Sequence, residues 1–236
     1  MKPLSHTVLE DEILSISAIA ALRRFSSPTI ANAIETFQIR PRTEGITGPG
    51  LHCFFPSLGP VVGYACTAVI LSNQPAPEPR NVDRRRYWEY VRSMPAPRIS
   101  VVQDLSETPG GAYWGEVNAN IHLALGSQGV ITNGTVRDLT EVERTGFHFF
   151  ASGVQVSHGW AHLEDFNRPV KVFGMLVYPG DLIHADKHGA VVIPKEIARE
   201  VAAAAEKVEA AEKPMLAACK SDNIIEELDR LIPREY

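Results

Sequence analysis

The chain has 236 residues, 44% of them hydrophobic and 22% charged, with a formal net charge of −5, an ordinary balance for a folded globular chain with a substantial core. The acidic balance, with a pI near 5.9, gives no electrostatic footprint for nucleic acid. The Arg84–Arg85–Arg86 run does not change this, because acidic residues flank it. Three cysteines, Cys53, Cys66 and Cys219, lack metal-type spacing and suit a reducing compartment. Met1–His6 has no signal-peptide core, and no stretch reaches the roughly 20 apolar residues that span a membrane, so a cytoplasmic protein is expected.

Residues 10–24 place Ile13, Ile16, Ile19, Ala20 and Leu22 at near-helical spacing, and Arg23–Arg24 close that helix. Ser26–Ser27–Pro28 supplies a cap and a proline at the first helical position, with a second short helix through Ile34. Residues 36–63 are rich in Gly and Pro, and Val61–Leu71 then reads as a buried strand. Residues 73–79 carry three prolines and form an irregular insert. Tyr87, Tyr90, Val91 and Met94 mark an amphipathic helix, and Arg98–Asp104 a second strand. Trp114–Leu125 is expected to be a helix with Val117, Ile121, Ala124 and Leu125 inside, followed by a buried strand at Val130–Thr132.

Beyond a turn at Asn133–Gly134 come Arg137 and Asp138, a cation and an anion delivered at a strand end. Residues 140–145 suggest a short helix. Residues 147–156, 170–178, 182–184 and 190–193 suggest short strands. Residues 195–213 suggest a helix with the stripe Ile197, Val201, Ala205 and Val208, interrupted at Pro214. Ser221–Asp222–Asn223 then caps a last helix to Leu231. Helices at both ends with strands between them argue for one α/β domain over residues 1–236, with a core of about 25–195, N-terminal helices at 10–35 and C-terminal helices at 195–232.

Spacing alone leaves several readings open. Asp138 with Glu141 three residues on is a possible capping box, against a metal ligand. Arg137 alone reads as a surface ion pair, and Glu116 as a solvated helix-start carboxylate. His158 with His162, and His184 with His188, have the four-residue spacing of zinc ligands on a helix. Neither pair lies in a helical pattern, so polar loop histidines near the pocket are favoured. Asp181 after Pro179–Gly180 reads as a turn residue, Asp104 and Asp186 end strand-like runs, and Trp114 reads as a packing residue.

Gly115–Glu116–Val117–Asn118, then Gly126-x-x-Gly129–Val130–Ile131–Thr132–Asn133–Gly134-x-Val136–Arg137–Asp138, then Val177–Asp181 with Ala185–Asp186-x-x-Gly189 and Val191–Pro194, follow one another in order. Weaker pieces are Ser27-x-Thr29 through Ala33 and Gly63-x-Ala65-x-Thr67. On these motifs the chain resembles the RraA-like family, which includes class II 4-hydroxy-4-methyl-2-oxoglutarate aldolases. The resemblance implies a compact β/α sandwich of the swivelling β/β/α type, assembled as trimers or hexamers with active sites near subunit interfaces. It implies substrate contacts at Gly115, Glu116, Val117 and Asn118, a substrate carboxylate at Arg137, and a divalent metal, Mg2+ or Mn2+, at Asp138.

The activity so implied is cleavage of a small 4-hydroxy-2-oxo di- or tricarboxylate to release pyruvate, with oxaloacetate decarboxylation through the same enolate. Arg137 and Glu116 are the candidate catalytic residues, Glu116 through a metal-bound water. Some family members instead inhibit an RNA-degrading enzyme, so a non-catalytic regulator acting through protein binding is the alternative. A methyltransferase name also attached to the family finds no support, since no Gly-rich nucleotide loop follows the first strand. Glu116 stands where the aldolase branch commonly has Asp or Asn, and Asn133–Gly134 where the family often has Asp-Gly. The segment from Asn73 to Pro97 is longer than a minimal member needs.

Overall fold

The computed structural model describes residues 13–80 and 82–232. The architecture is α/β, built around the long strand β2 (Val61–Leu71). Ten of its residues are buried, from Val61 to Ile70, which explains why the stretch reads as an unbroken apolar run rather than an alternation. From β2 the chain steps sideways three times in the same direction. It passes through α3 (Arg84–Ser93) to β3 (Arg98–Asp104), through α4 (Glu116–Ala124) to β4 (Ser127–Thr132), and through the short α5 (Leu139–Glu143) to β6 (His148–Ala151). These four strands are parallel neighbours.

The two-residue β1 (His52–Cys53) pairs antiparallel with β6 at one edge. At the other side β2 shares its free edge between β11 (Leu182–Asp186), against Val61–Tyr64, and β8 (His162–Phe166), against Ala68–Leu71. The last strand, β12 (Gly189–Ile193), pairs with β11. Outside this sheet, β5 (Thr135–Val136) pairs with β7 (Gly153–Val154), and β9 (Val170–Val172) with β10 (Met175–Val177).

The period-two alternation of strands sorts the core into layers. Cys66, Ala68 and Ile70 of β2, Val102, Val130 and Phe149 point to one face, under Tyr87 and Val91 of α3, Ala119 of α4 and Val142 of α5. Ala65 and Val69, Val101, Ile131 and Phe150 point to the other, where the β9–β10 hairpin lays Val170, Val172, Met175 and Val177 against them. On the helical face, towards β11 and β12, a third cluster joins α1 (Ile16–Leu22), α2 (Ser27–Glu35) and α6 (Val201–Ala218) to Val62, Tyr64, Val191 and Ile193. Helices therefore cover one face of the sheet and a β-hairpin the other, the β/β/α layering expected.

Several local expectations need correction. The first helix begins at Ile16 after the capping Ser15, and residues 10–12 lie outside the described residues. Pro28 is the second helical residue of α2, behind the cap at Ser26. The inner face of α4 is Ala119 and His122, whereas Val117 is 71% exposed. His122 is tolerated there because both ring nitrogens are paired. Nδ1–H donates to Asn118 O at 2.8 Å, and Nε2 accepts from the Tyr87 hydroxyl at 3.1 Å. The apolar stretches 147–156 and 170–178 each split into two short strands, the second at Phe173–Gly174, both with positive φ. Helix α6 starts at Val201 and runs through Pro214. That proline is exposed, so the one ladder bond it removes is exchanged for water. The final helix α7 (Ile224–Leu231) follows Asn223, which makes no side-chain cap bond.

Candidate active site

The parallel strands β2, β3 and β4 end side by side, and their carboxyl ends are tied together by buried polar groups. Ser72, just past β2, donates from Oγ to Asp104 Oδ2 at 2.6 Å, and Ser106 N–H donates to Asp104 Oδ1 at 2.9 Å. Asn133, just past β4, uses its side-chain amide as a strand partner would. Oδ1 accepts from Asp104 N–H and Nδ2 donates to Asp104 O, both at 2.8 Å. The edge from which the loops rise is thereby fixed, and in open α/β sheets this is the edge where ligands bind.

From that edge β5 carries the chain back alongside Trp114. Trp114 bridges Val136 in parallel, and Arg137 N–H donates to Trp114 O at 2.9 Å. Trp114 is fully buried and stacks on Phe147, so it packs, as its sequence context suggests. The tryptophan and its neighbours dock the segment before α4 against the segment after β4. Gly115, the residue before α4, lies against Asp138: a β-carbon there would stand 2.5 Å from Asp138 Oδ2.

Asp138 holds a left-handed conformation, φ 56° and ψ 43°, at the N-cap position of α5, yet its side chain makes no cap bond. The capping-box reading is overturned on that geometry. The carboxylate turns the other way: Oδ2 accepts from Glu116 N–H at 2.9 Å and lies 3.5 Å from Arg137 Nε. A left-handed non-glycine residue costs about 1 kcal/mol or more, an outlay typical of functional positions.

A cavity of about 590 Å3 opens over this junction, lined by Gly115, Val117, Asn118, Arg137 and Asp138 together with Arg80, Val82, Asp83, Arg84, Ala112, Tyr113, His158, Ala161, His162 and Leu163. Of the residues singled out from sequence, Gly115, Val117, Asn118, Arg137 and Asp138 come together in its lining. Glu116 reaches the site through its backbone N–H, while its carboxylate stands exposed and outside the lining. The N–H groups of Val117 and Asn118, in the first turn of α4, have no intrahelical acceptor by helix geometry. The Asn118 side chain donates to Tyr113 O at 2.6 Å and fixes the turn that leads in.

The wall formed by the β2–α3 connection and by β8 was not legible as part of the site. Arg84 belongs to an arginine run whose charge is offset by flanking acidic residues and which carries no site motif, and β8 is too mixed in polarity to register as a strand. The histidines gave a partial signal. His158 and His162 both line the cavity, in a loop and at the first residue of β8. His162 faces two acceptors, Trp160 O at 2.7 Å from Nδ1 and Glu164 Oε1 at 2.6 Å from Nε2. His184 and His188 lie elsewhere. His184 bonds Ser27 Oγ and Phe25 O, and His188 bonds Asp186. Asp181 acts as a turn residue, accepting from Tyr178 N–H at 2.7 Å. Among the described residues no group of three or more His, Cys, Asp or Glu side chains is placed to hold a metal ion.

Fold and cavity define an α/β protein whose candidate site stands at the carboxyl ends of parallel strands, where a helix start meets a strand end. The RraA-like family model, Aldolase/RraA, matches residues 27–192, and the chain belongs to that family. It is 30% identical over 115 residues to a putative 4-hydroxy-4-methyl-2-oxoglutarate aldolase from Halalkalibacterium halodurans, a match covering 48% of this chain and 54% of that protein. The matches amount to 18–54% of the length of the curated relatives. Among solved structures, an uncharacterized Pseudomonas syringae protein has a TM-score of 0.71 at 23% identity, covering 96% of this chain and 99% of that one. RraAS2 of Streptomyces coelicolor, described as an unusual member of the RNase ES inhibitor RraA family, has a TM-score of 0.67 at 22% identity, covering 85% and 96%. Both likenesses concern the fold. No described helix is long and apolar enough to cross a membrane.

Proposed function

We propose that the protein is a divalent-metal-dependent lyase of the class II aldolase type. It would cleave a small 4-hydroxy-2-oxo di- or tricarboxylate to release pyruvate, and oxaloacetate decarboxylation fits the same site. One observation carries the reading: Asp138 is held out of its own helix in a left-handed conformation, its carboxylate drawn onto Glu116 N–H beside Arg137, in contact with a glycine that leaves no room for a side chain. The putative aldolase relative and the family's inclusion of aldolases support it.

The donor set suits a hard ion. Asp138 presents one carboxylate, and without three clustered ligands among the described residues a closed zinc site is disfavoured. Mg2+ or Mn2+ needs few protein ligands and keeps several waters, so Asp138 would suffice to hold it. Bound there, the ion supplies Lewis-acid stabilisation of the enolate left when the carbon–carbon bond breaks. Arg137 grips the carboxylate of the 2-oxo acid, where a guanidinium offers a planar two-point contact. The Val117 and Asn118 N–H groups add donors for the same anion. Glu116, whose backbone N–H holds Asp138 and whose carboxylate is exposed outside the lining, would exchange protons through a metal-bound water. Assembly as a trimer or hexamer is part of the same reading.

The test is a coupled pyruvate assay with 4-hydroxy-4-methyl-2-oxoglutarate and with oxaloacetate, in Mg2+ and in EDTA. The expected result is pyruvate release that EDTA abolishes and that Asp138→Ala lowers by roughly 100-fold or more, since metal stabilisation of the enolate is worth several kcal/mol. Activity that survives both treatments rules the mechanism out. If no pyruvate appears while the protein captures and inhibits a ribonuclease, the regulatory alternative takes its place.

A further inference from the structure

The cavity has a second cationic wall, one that no carboxylate pairs with among the described residues. Three guanidinium groups line it: Arg137 beside Asp138, and Arg80 and Arg84 from the connection between β2 and α3. The two carboxylates in the lining are already committed. Asp138 takes Glu116 N–H and Arg137, and Asp83 caps α3 by accepting from Arg85 N–H at 2.8 Å. Within the arginine run the roles divide. Arg85 turns along its helix to Glu89 at 2.9 Å, while neither Arg80 nor Arg84 has an ion-pair partner among the described residues.

Arg84 lines the cavity from an exposed position, close enough for its charge to act on Tyr113. Tyr113, in the same lining, is pushed up to about 12 by burial, and the nearby Arg84 charge opposes that rise. A cation in the first turn of a helix also runs against the helix dipole, and α3 has no acidic residue in its first turn. An anion placed between Arg84 and the cavity would offset that unfavourable interaction with the helix dipole, and the neutral Tyr113 phenol beside it would not oppose the anion. The connection from residue 72 to residue 83 that brings Arg80 to the wall is long beside the usual βα loop of about 2–6 residues.

We propose that Arg84, assisted by Arg80, is a specificity-determining subsite for a second carboxylate at the end of the substrate remote from its 2-oxo acid. The assignment rests on the lyase reading above for the placement of the first carboxylate at Arg137. A substrate with one carboxylate leaves Arg84 unpaired in the wall; one with two spans from Arg137 to Arg84 and gains a charge-assisted contact.

The experiment compares two non-cleavable probes, 2-oxoglutarate with two carboxylates and 2-oxobutyrate with one, by titration calorimetry in Mg2+. The wild-type protein is expected to bind 2-oxoglutarate roughly tenfold or more tightly, the usual weight of a hydrogen bond to a charged group. Arg84→Gln should abolish that preference by weakening 2-oxoglutarate alone, Arg84→Lys should retain part of it, and Arg137→Gln should weaken both probes. Equal wild-type affinities, or a preference undiminished in Arg84→Gln with its melting temperature unchanged, overturn the subsite. A preference that follows Arg84 in a protein releasing no pyruvate upholds the subsite and retires the lyase reading. Pyruvate release without any preference does the reverse.

Discussion

A β-carbon on Gly115 would lie 2.5 Å from Asp138 Oδ2 and 3.0 and 3.1 Å from Arg137 Cγ and Nε. All three of those atoms belong to the two residues assigned to metal and substrate. The φ of Gly115, −154°, is ordinary extended backbone, so alanine strains nothing in the chain itself, and its three nearest contacts all fall on the Arg137–Asp138 pair. Gly115→Ala is therefore expected to leave the melting temperature within a few degrees of wild type. It should lower kcat/KM for pyruvate release by about 100-fold, the penalty for a misplacement of about 1 Å in a catalytic group. Circular dichroism melts beside the coupled assay check it, and full activity in the alanine variant would contradict the placement. The pair itself was legible in the sequence, because a turn after a buried apolar run delivers adjacent charges wherever the run ends. Arg84 was not, because nothing in a triplet of arginines says which one faces inward.

At the level of elements, the strands that hold the site were the ones most easily read. Val61–Leu71 and Arg98–Asp104 appear in the structure with the bounds their apolar runs suggested. Strand β4 begins three residues before the apolar triplet that announced it, at Ser127. Reading failed where burial and polarity part company. Strand β8 is His162–Phe166, with Glu164 and Asp165 inside it, so no apolar periodicity marks it. Helix α4 buries a histidine whose two hydrogen bonds come from elements distant in sequence or from its own preceding turn. The turn between β4 and β5 depends on a contact just as hidden, the Asn133 amide paired with both backbone groups of Asp104. Asn133→Ala leaves a donor and an acceptor of Asp104 without partners at a half-buried position. A loss of about 1–3 kcal/mol follows from the cost of unsatisfied backbone groups. Urea unfolding measures that loss, and a lowered kcat at unchanged midpoint would instead mean that Asn133 acts on the loop alone.

For the molecule as a whole, three histidines built into different parts of the core set its response to acid. His122 in α4, His148 in β6 and His184 in β11 are 1%, 4% and 0% exposed, and burial lowers each pKa to about 4 from an ordinary value near 6.5. Near pH 7 and above, each is neutral whether the chain is folded or not, and none affects stability. As pH falls from 6.5 towards 4, the unfolded chain takes up a proton at each site while the folded core does not, so the folded state loses ground. Each histidine contributes up to about 1.4 kcal/mol per pH unit across that window, and the loss levels off below about 4, where the folded rings also protonate. Asp186 has its own carboxyl pKa held down: burial pushes it up, but hydrogen bonds from His188 and Ser27 outweigh that push. Its contribution is lost only at lower pH, below the ordinary carboxylate range, so the two effects separate along the pH axis. The urea midpoint is expected to be flat above pH 7 and to fall steadily from pH 6.5 to 5, before carboxylates begin to titrate. A midpoint unchanged between pH 7 and pH 5 would mean that these rings do not stay neutral in the folded core.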